Sequence, residues 1–285
     1  MRRVVYVSGT RADYGLIADT LACAKASGNL DVSVCVTGMH LLPEYGYTVT
    51  EIERRGLPVH SRIPVHLNGS TGTVVAKAIG TEIIGMADAF TRNRPDVVMI
   101  LGDRGEMLAA AIAAINLNIP VVHIHGGERS GTVDEPVRHA ISKLSHYHFV
   151  ATAAAKERLI RMGERTDRVF VTGAPGLDGL CELPARTRKE LCDEAEFDAT
   201  RQVALVVFHP VLQEAREAGR QMEEILCAVL HVGMQAICLE PNADAGGLAI
   251  RETLDRFRDR RDIRVRVHLP RADYVSWMAG VDVMI

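Results

Sequence analysis

The 285-residue sequence has no apolar run long enough to cross a bilayer: the longest, residues 108–115, falls far short of the roughly 20 residues a spanning helix needs. No leader is expected either, because Met1-Arg2-Arg3 passes directly into the strand-like residues 4–7, with no small-residue cleavage site. An excess of one charge is also missing. The 33 Lys and Arg stand against 36 Asp and Glu, for a formal net charge of −3. Nothing therefore marks a nucleic-acid or membrane partner, and an anionic ligand needs a local positive site. Cys23, Cys35, Cys181, Cys192, Cys227 and Cys238 are scattered without a Cys-x-x-Cys pair, which argues against a structural zinc site and a disulfide scaffold. They read as reduced, partly buried thiols of a cytoplasmic protein.

What is present is an ordinary globular composition, 47% hydrophobic and 24% charged, which excludes disorder, collagen or coiled coil as descriptions of the whole chain. At ~150 residues per domain the length predicts about two domains. Residues 4–8, 32–37, 97–101, 121–124, 147–151 and 169–172 are short, nearly continuous apolar runs, the pattern of parallel strands covered on both faces. Helical patterns lie between them over residues 15–26, 43–55, 73–92, 104–116, 135–145 and 153–162. This alternation predicts an α/β fold with a doubly wound, Rossmann-like first domain over residues 1–175, closed by the Gly173-Ala174-Pro175-Gly176 turn.

After polar sequence over 182–201, strand patterns return at 203–208, 236–239, 265–269 and 281–285, with helical ones at 213–231, 246–259 and 272–279. A second, smaller Rossmann-like domain is expected over 176–285, with ligands in the cleft between the two. The last apolar run ends at Ile285 without the loop that should follow, so the second domain is expected to be incomplete and the chain truncated.

The candidate chemistry sits where strands end. Ser8-Gly9-Thr10-Arg11-Ala12-Asp13-Tyr14-Gly15 follows the first strand, and a helix N-terminus with Arg11 beside it suits a phosphate. The stretch is not Gly-x-Gly-x-x-Gly, so no dinucleotide cofactor is expected. Gly102-Asp103-Arg104-Gly105-Glu106 and His123-Ile124-His125-Gly126-Gly127-Glu128 end two later strands, and Thr132-Val133-Asp134-Glu135 opens a helix with Arg138 and His139.

These loops bring Asp103, Glu106, His125, Glu128, Asp134 and His139 to one rim, where clustered carboxylates and imidazoles can supply acid and base near neutral pH. Plainer readings stand beside this one. One of His123 and His125 faces the core, Glu106 is a solvated helix residue, and Thr132 or Asp134 merely caps a helix. Asp103 resists such a reading, because a carboxylate directly after a buried strand must be paired or used. A divalent ion is the remaining alternative for the cluster, although no His-x-x-x-His pair supports it. In the second domain, Phe208-His209-Pro210 and Glu240-Pro241-Asn242-Ala243-Asp244 again follow strands.

Taken in order, Gly9 to Gly15, Gly102-Asp103-Arg104, Gly126-Gly127-Glu128, Ser130 to Glu135, Arg138 to His146, Phe208-His209-Pro210 and Pro241 to Gly246 resemble the UDP-N-acetylglucosamine 2-epimerase family, in its hydrolysing branch that feeds sialic-acid-type sugar synthesis. The resemblance implies a glycosyltransferase-B-like pair of domains, a UDP-sugar substrate, a homo-oligomer, and chemistry with no cofactor and no metal. A base removes the carbon-2 proton, UDP leaves, and water adds to the glycal to release N-acetylmannosamine. By the same resemblance Asp103, Asp134 and His209 match catalytic residues, and Arg11, Pro241, Asn242 and Asp244 substrate-binding ones; His125 is counted with the catalytic residues and Arg104 and Glu128 with the substrate-binding ones from their place in the same loops.

His125 stands where that branch usually has a glutamate, which raises the alternative of another UDP sugar, the diacetamido sugar leading to legionaminic acid. A non-hydrolysing epimerase, transfer to an acceptor, and an inactive UDP-sugar-binding protein are further alternatives.

Overall fold

A computed structural model describes residues 1–65, 72–183, 186–242 and 245–285. The chain divides into two compact units, the first ending at Asp178 and the second running over Gly179–Ile285. The first unit holds β1 (Arg2–Ser8), α1 (Arg11–Ala26), β2 (Leu30–Thr37), α2 (Val49–Arg54), β3 (Val59–Ile63), α3 (Gly72–Arg92), β4 (Val97–Leu101), α4 (Gly105–Asn116), β5 (Val121–Ile124), α5 (Asp134–Leu144), β6 (Tyr147–Val150), α6 (Ala153–Arg161) and β7 (Val169–Val171). Its seven strands pair in the order β3-β2-β1-β4-β5-β6-β7, all parallel, with Val4 opposite both Val32 and Val97.

The continuous apolar strands follow from burial on both faces. Val5, Val7, Val98 and Ile100 pack with Met86 and Phe90 of α3 and the alanines of α4, while Tyr6, Val34 and Val36 meet Ile17 and Leu21 of α1 and Ile52 of α2 on the other side. Each such side chain, fully removed from water, contributes roughly 1.5–3 kcal/mol. α3 turns Ala78, Met86 and Phe90 into the core of its own unit and leaves Ile84 exposed.

The second unit holds α7 (Arg188–Ala195), β8 (Val203–Val206), α8 (Ala218–His231), β9 (Gln235–Leu239), α9 (Gly247–Phe257), β10 (Ile263–Arg266), α10 (Arg271–Gly280) and β11 (Val283–Met284). Its four parallel strands run β10-β9-β8-β11. Ala204 and Val206 face α8 and α9, while Val203 and Leu205 face α7 and Trp277 of α10. In both sheets strand order reverses beside the first strand, between β1 and β4 and between β8 and β11. That reversal opens a crevice at the carboxyl ends of the strands, the usual ligand position in such sheets.

The expected helix over 43–55 breaks into short 3-10 turns and the six-residue α2, because Gly46 and Tyr47 take positive φ values of 89° and 47°. Among the described residues no helix is long and apolar enough to cross a membrane. The six cysteines are free, with Cys35, Cys192 and Cys238 buried.

Candidate active site

The loop after β1 is built around one carboxylate. Thr10 caps α1, and Asp13 returns the bond, accepting from Thr10 N at 2.7 Å and Gly9 N at 3.1 Å. The helix therefore begins at Arg11, four residues before the expected start, and Arg11 sits at its first position. Half-buried, the Arg11 guanidinium has its pKa lowered by burial, with Glu51 opposing, and its Nη1 is buried without a hydrogen-bond partner.

Beneath it, Asp13 also accepts from Tyr6 Oη and Ser8 Oγ; Ser8 Oγ meets His40 Nε2 at 2.9 Å and His40 Nδ1 meets Thr48 Oγ1 at 2.7 Å. Burial pushes Asp13 up to about 6, against the bond from Ser8, and pulls His40 down to about 4. Glu106 is not the solvated residue expected: its carboxylate is buried against the Cα atoms of Gly9 and Gly38, where any Cβ would collide, and it pairs with Arg104 at 3.3 Å.

Two further connections, after β4 and after β5, lie at neighbouring strand ends. Asp103 follows β4 and makes an ion pair with Arg138 of α5, both groups largely shielded from water. Asp134 is the exposed first residue of α5, one turn before Arg138, and accepts from Thr132 Oγ1 at 2.7 Å. The cap itself is Val133, so neither Thr132 nor Asp134 takes the N-cap position; Glu135 folds back instead, accepting from Ser130 N and Gly131 N at 3.0 and 3.1 Å.

On β5 His123 is wholly buried, and His125, just past its end, is only part-buried. His125 takes a φ of 62°, its pKa is lowered by burial with Glu128 opposing, and its Nε2 is buried without a partner, as is Glu128 Oε1. Gly127 lets this loop lie on α6: its φ is 78°, a Cβ would stand 2.5 Å from Ala155 O, and Arg158 donates to its carbonyl. Gly127→Ala is expected to cost about 2–3 kcal/mol through left-handed strain and overpacking. An unchanged denaturant midpoint would refute this account of the loop.

In the second unit, His209 is exposed after β8 and Pro241 and Asn242 follow the adjacent β9. Arg251 Nη2 donates to Pro241 O at 3.3 Å, and a Cβ on Gly247 would lie 2.7 Å from Asn242 O, so α9 begins tight against this loop. Asp244 lies outside the described residues.

Among the described residues of the first unit, the buried polar atoms that make no hydrogen bond are Arg11 Nη1 and Tyr14 Oη on α1, His125 Nε2 and Glu128 Oε1 after β5, Arg138 Nε and Nη1 and His139 Nδ1 on α5, and His148 Nδ1 on β6. Because buried polar groups are nearly always paired, such a set marks a surface made to be completed by a polar ligand. Two guanidinium groups in it suit phosphate oxygens. Among the described residues no group of three or more His, Cys, Asp or Glu is placed to hold a metal ion.

Arg138, Asp13, His40, Glu82 and His123 were not singled out as site residues. For Arg138 the available signal was its spacing, four residues beyond Asp134 on a helix face.

Comparison with known proteins agrees with this architecture. The family model described as UDP-N-acetylglucosamine 2-epimerase matches residues 22–285. A UDP-N,N'-diacetylbacillosamine 2-epimerase (hydrolyzing) of Legionella pneumophila is 51% identical over 285 residues, all of this chain and 76% of the relative. A UDP-N-acetylglucosamine 2-epimerase of Neisseria meningitidis serogroup B is 33% identical, covering 98% of this chain and 74% of its own. In fold, the crystal structure of a Neisseria meningitidis UDP-GlcNAc 2-epimerase bound to UDP-GlcNAc superposes with a TM-score of 0.81 at 19% identity, covering 99% of this chain and 76% of that one. The chain belongs to the UDP-N-acetylglucosamine 2-epimerase family.

Proposed function

We propose that the chain is a hydrolysing 2-epimerase acting on UDP-N,N'-diacetylbacillosamine, which it converts with water to UDP and the free sugar inverted at carbon 2. The observation that carries the substrate is the 51% identity, over the whole chain, to the Legionella relative of that name, against 33% to the meningococcal UDP-N-acetylglucosamine enzyme. It favours the diacetamido sugar over the UDP-N-acetylglucosamine expected first from the sequence, and the imidazole of His125 is consistent with that shift.

In this reading Asp103, a carboxylate by virtue of its pair with Arg138, takes the carbon-2 proton. The electrons of that C–H bond form the carbon-1 to carbon-2 double bond as the bond from carbon 1 to the UDP oxygen breaks. Water then adds across the double bond, with Asp134, His125 and His209 as the groups that move its protons. Arg11 and Arg104 stabilise the departing diphosphate, Arg104 oriented by Glu106. Glu128 accepts from the sugar, and the Pro241-Asn242 and Asp244 loop binds the nucleotide sugar from the second unit.

A proton and phosphorus NMR time course in D₂O with each UDP sugar tests this. Expected is free sugar deuterated at carbon 2, with kcat/KM for the diacetamido substrate at least about tenfold higher, a difference of roughly 1.4 kcal/mol. A preference for UDP-N-acetylglucosamine would reverse the substrate assignment, and a UDP-linked epimer would reverse the hydrolytic one.

A further inference from the structure

His123 has no place in the proton transfers above, yet it contacts the residues beside two of the groups that make them, Asp103 and His125. It lies on β5, wholly buried. Its Nε2 is 2.8 Å from the carbonyl oxygen of Gly102, the residue immediately before Asp103, and its Nδ1 is 3.0 Å from Ser142 Oγ. A carbonyl only accepts, so Nε2 carries a proton; Ser142 then donates to an unprotonated Nδ1, and the ring is neutral. Burial favours the same form, pulling the imidazole down to about 3, and the neighbouring His148 and His125 act in the same direction.

Ser142 stands one turn beyond Arg138 on α5, and Arg138 is the partner of Asp103. The connection after β5 is held against the same ring. A Cβ on Gly126 would lie 2.9 Å from both His123 Nδ1 and Ser142 Oγ, so the chain carrying His125 and Glu128 passes directly over this hydrogen bond. Gly102, with a φ of 81°, turns the backbone so that its carbonyl can be held from below while Asp103 faces outward to Arg138.

We propose that His123 is a positioning residue: through Gly102 O, Ser142 Oγ and the Cα of Gly126 one imidazole sets the Asp103 loop, helix α5 and the His125–Glu128 loop relative to one another. The inference deepens the proposed function and rests on it for its kinetic readout. Reacting groups displaced by about 1 Å lose on the order of 100-fold in rate, so the effect falls on kcat and not on substrate affinity.

Two variants of the full chain separate a positioning role from bulk packing. His123→Gln presents an amide N–H near the place of Nε2 and is expected to keep kcat within about tenfold of the parent. His123→Asn reaches only toward Ser142 and is expected to lose about 100-fold in kcat with KM nearly unchanged. Equal losses in the two variants, or a change confined to KM, would overturn the proposal.

Two NMR readouts need no turnover. The imidazole nitrogens of His123 in the unmodified chain are expected to show a single Nε2–H tautomer that does not titrate between about pH 5 and pH 8. The carboxyl carbon of Asp103 is expected to shift in His123→Asn and not in His123→Gln. A titrating His123, or an Asp103 signal indifferent to both variants, sinks the assignment. If the parent chain turns over neither UDP sugar, the proposed function fails, and the Asp103 shift still decides whether His123 holds that loop.

Discussion

Asp103→Asn is expected to lower UDP release about 10³-fold with KM changed only a few-fold, because a positioned base contributes roughly 10²–10⁴ to rate and an amide cannot take a proton from carbon. The geometry makes this a sharp test. Asn keeps the size of Asp and can still accept from Arg138, so the loop after β4 stays in place while its basicity is lost. Arg138 is left partly buried without a counter-charge, and two of its nitrogens already lack partners, so a stability loss of about 1–3 kcal/mol should accompany the kinetic one.

Urea denaturation measures the second effect and a coupled UDP assay the first. Retained turnover in a folded Asp103→Asn chain would remove Asp103 from the chemistry. Collapse of the fold alone would instead mean that the pair with Arg138 is structural.

Asp103 was legible in the sequence because a carboxylate directly after a buried strand admits few explanations, and the ion pair with Arg138 supplies one. The parallel strands β1, β2, β4 and β5 were legible for a similar reason: both faces are covered, so nearly every residue is apolar; β6 and the edge strand β7 were legible from their apolar runs although Tyr147, Phe170 and Val171 are exposed. β3 was not. It is an edge strand reading Val-His-Ser-Arg-Ile with mostly half-exposed positions, which carries no apolar run. β10, also at an edge, alternates Ile-Arg-Val-Arg and was placed two residues too late.

α7 hid in the polar stretch over 182–201, because a short surface helix buries only Leu191, Cys192 and Ala195; its capping box from Thr187 to Glu190 was the available signal. The site divides along the same line. Loops after buried strands were visible, whereas the roles of Glu106, His40 and Glu82 depend on contacts between residues distant in sequence, which no local pattern encodes.

Glu82 gives the second large effect: between about pH 6.5 and pH 8 the protein should lose stability as pH rises, and Glu82→Gln should abolish most of that slope. Burial raises the Glu82 carboxyl from 4.5 to about 8, with the nearby Glu106 charge adding to the rise and Thr37 and Arg104 opposing it. The hydrogen bonds accommodate the same form. Thr37 Oγ1 faces two acceptors, Ile63 O at 2.8 Å and Glu82 Oε1 at 2.9 Å, and with Glu82 neutral its single proton can serve the carbonyl.

A folded pKa above the unfolded one means that the native state binds the extra proton between 4.5 and about 8, so its stabilising contribution is complete below that window and is lost as pH climbs through it. The slope is at most about 1.4 kcal/mol per pH unit, and the whole loss is of the order of a few kcal/mol.

Other shifted groups act elsewhere. Asp13, raised to about 6, completes its loss below this range. His40 and His123, lowered to about 4 and about 3, raise stability with pH only below their ordinary 6.5, and the buried Cys35 and Cys238 thiols at about 12 matter only above their ordinary 9.

Gln at position 82 keeps an amide oxygen to accept from Thr37 and never ionises, so the variant should match the parent near pH 5 and exceed it by a few kcal/mol at pH 8.5. Denaturant unfolding of both proteins across this range decides it. Parallel curves, or a parent that grows more stable from pH 6.5 to pH 8, would mean that the carboxyl beside Glu106 is already ionised at neutral pH.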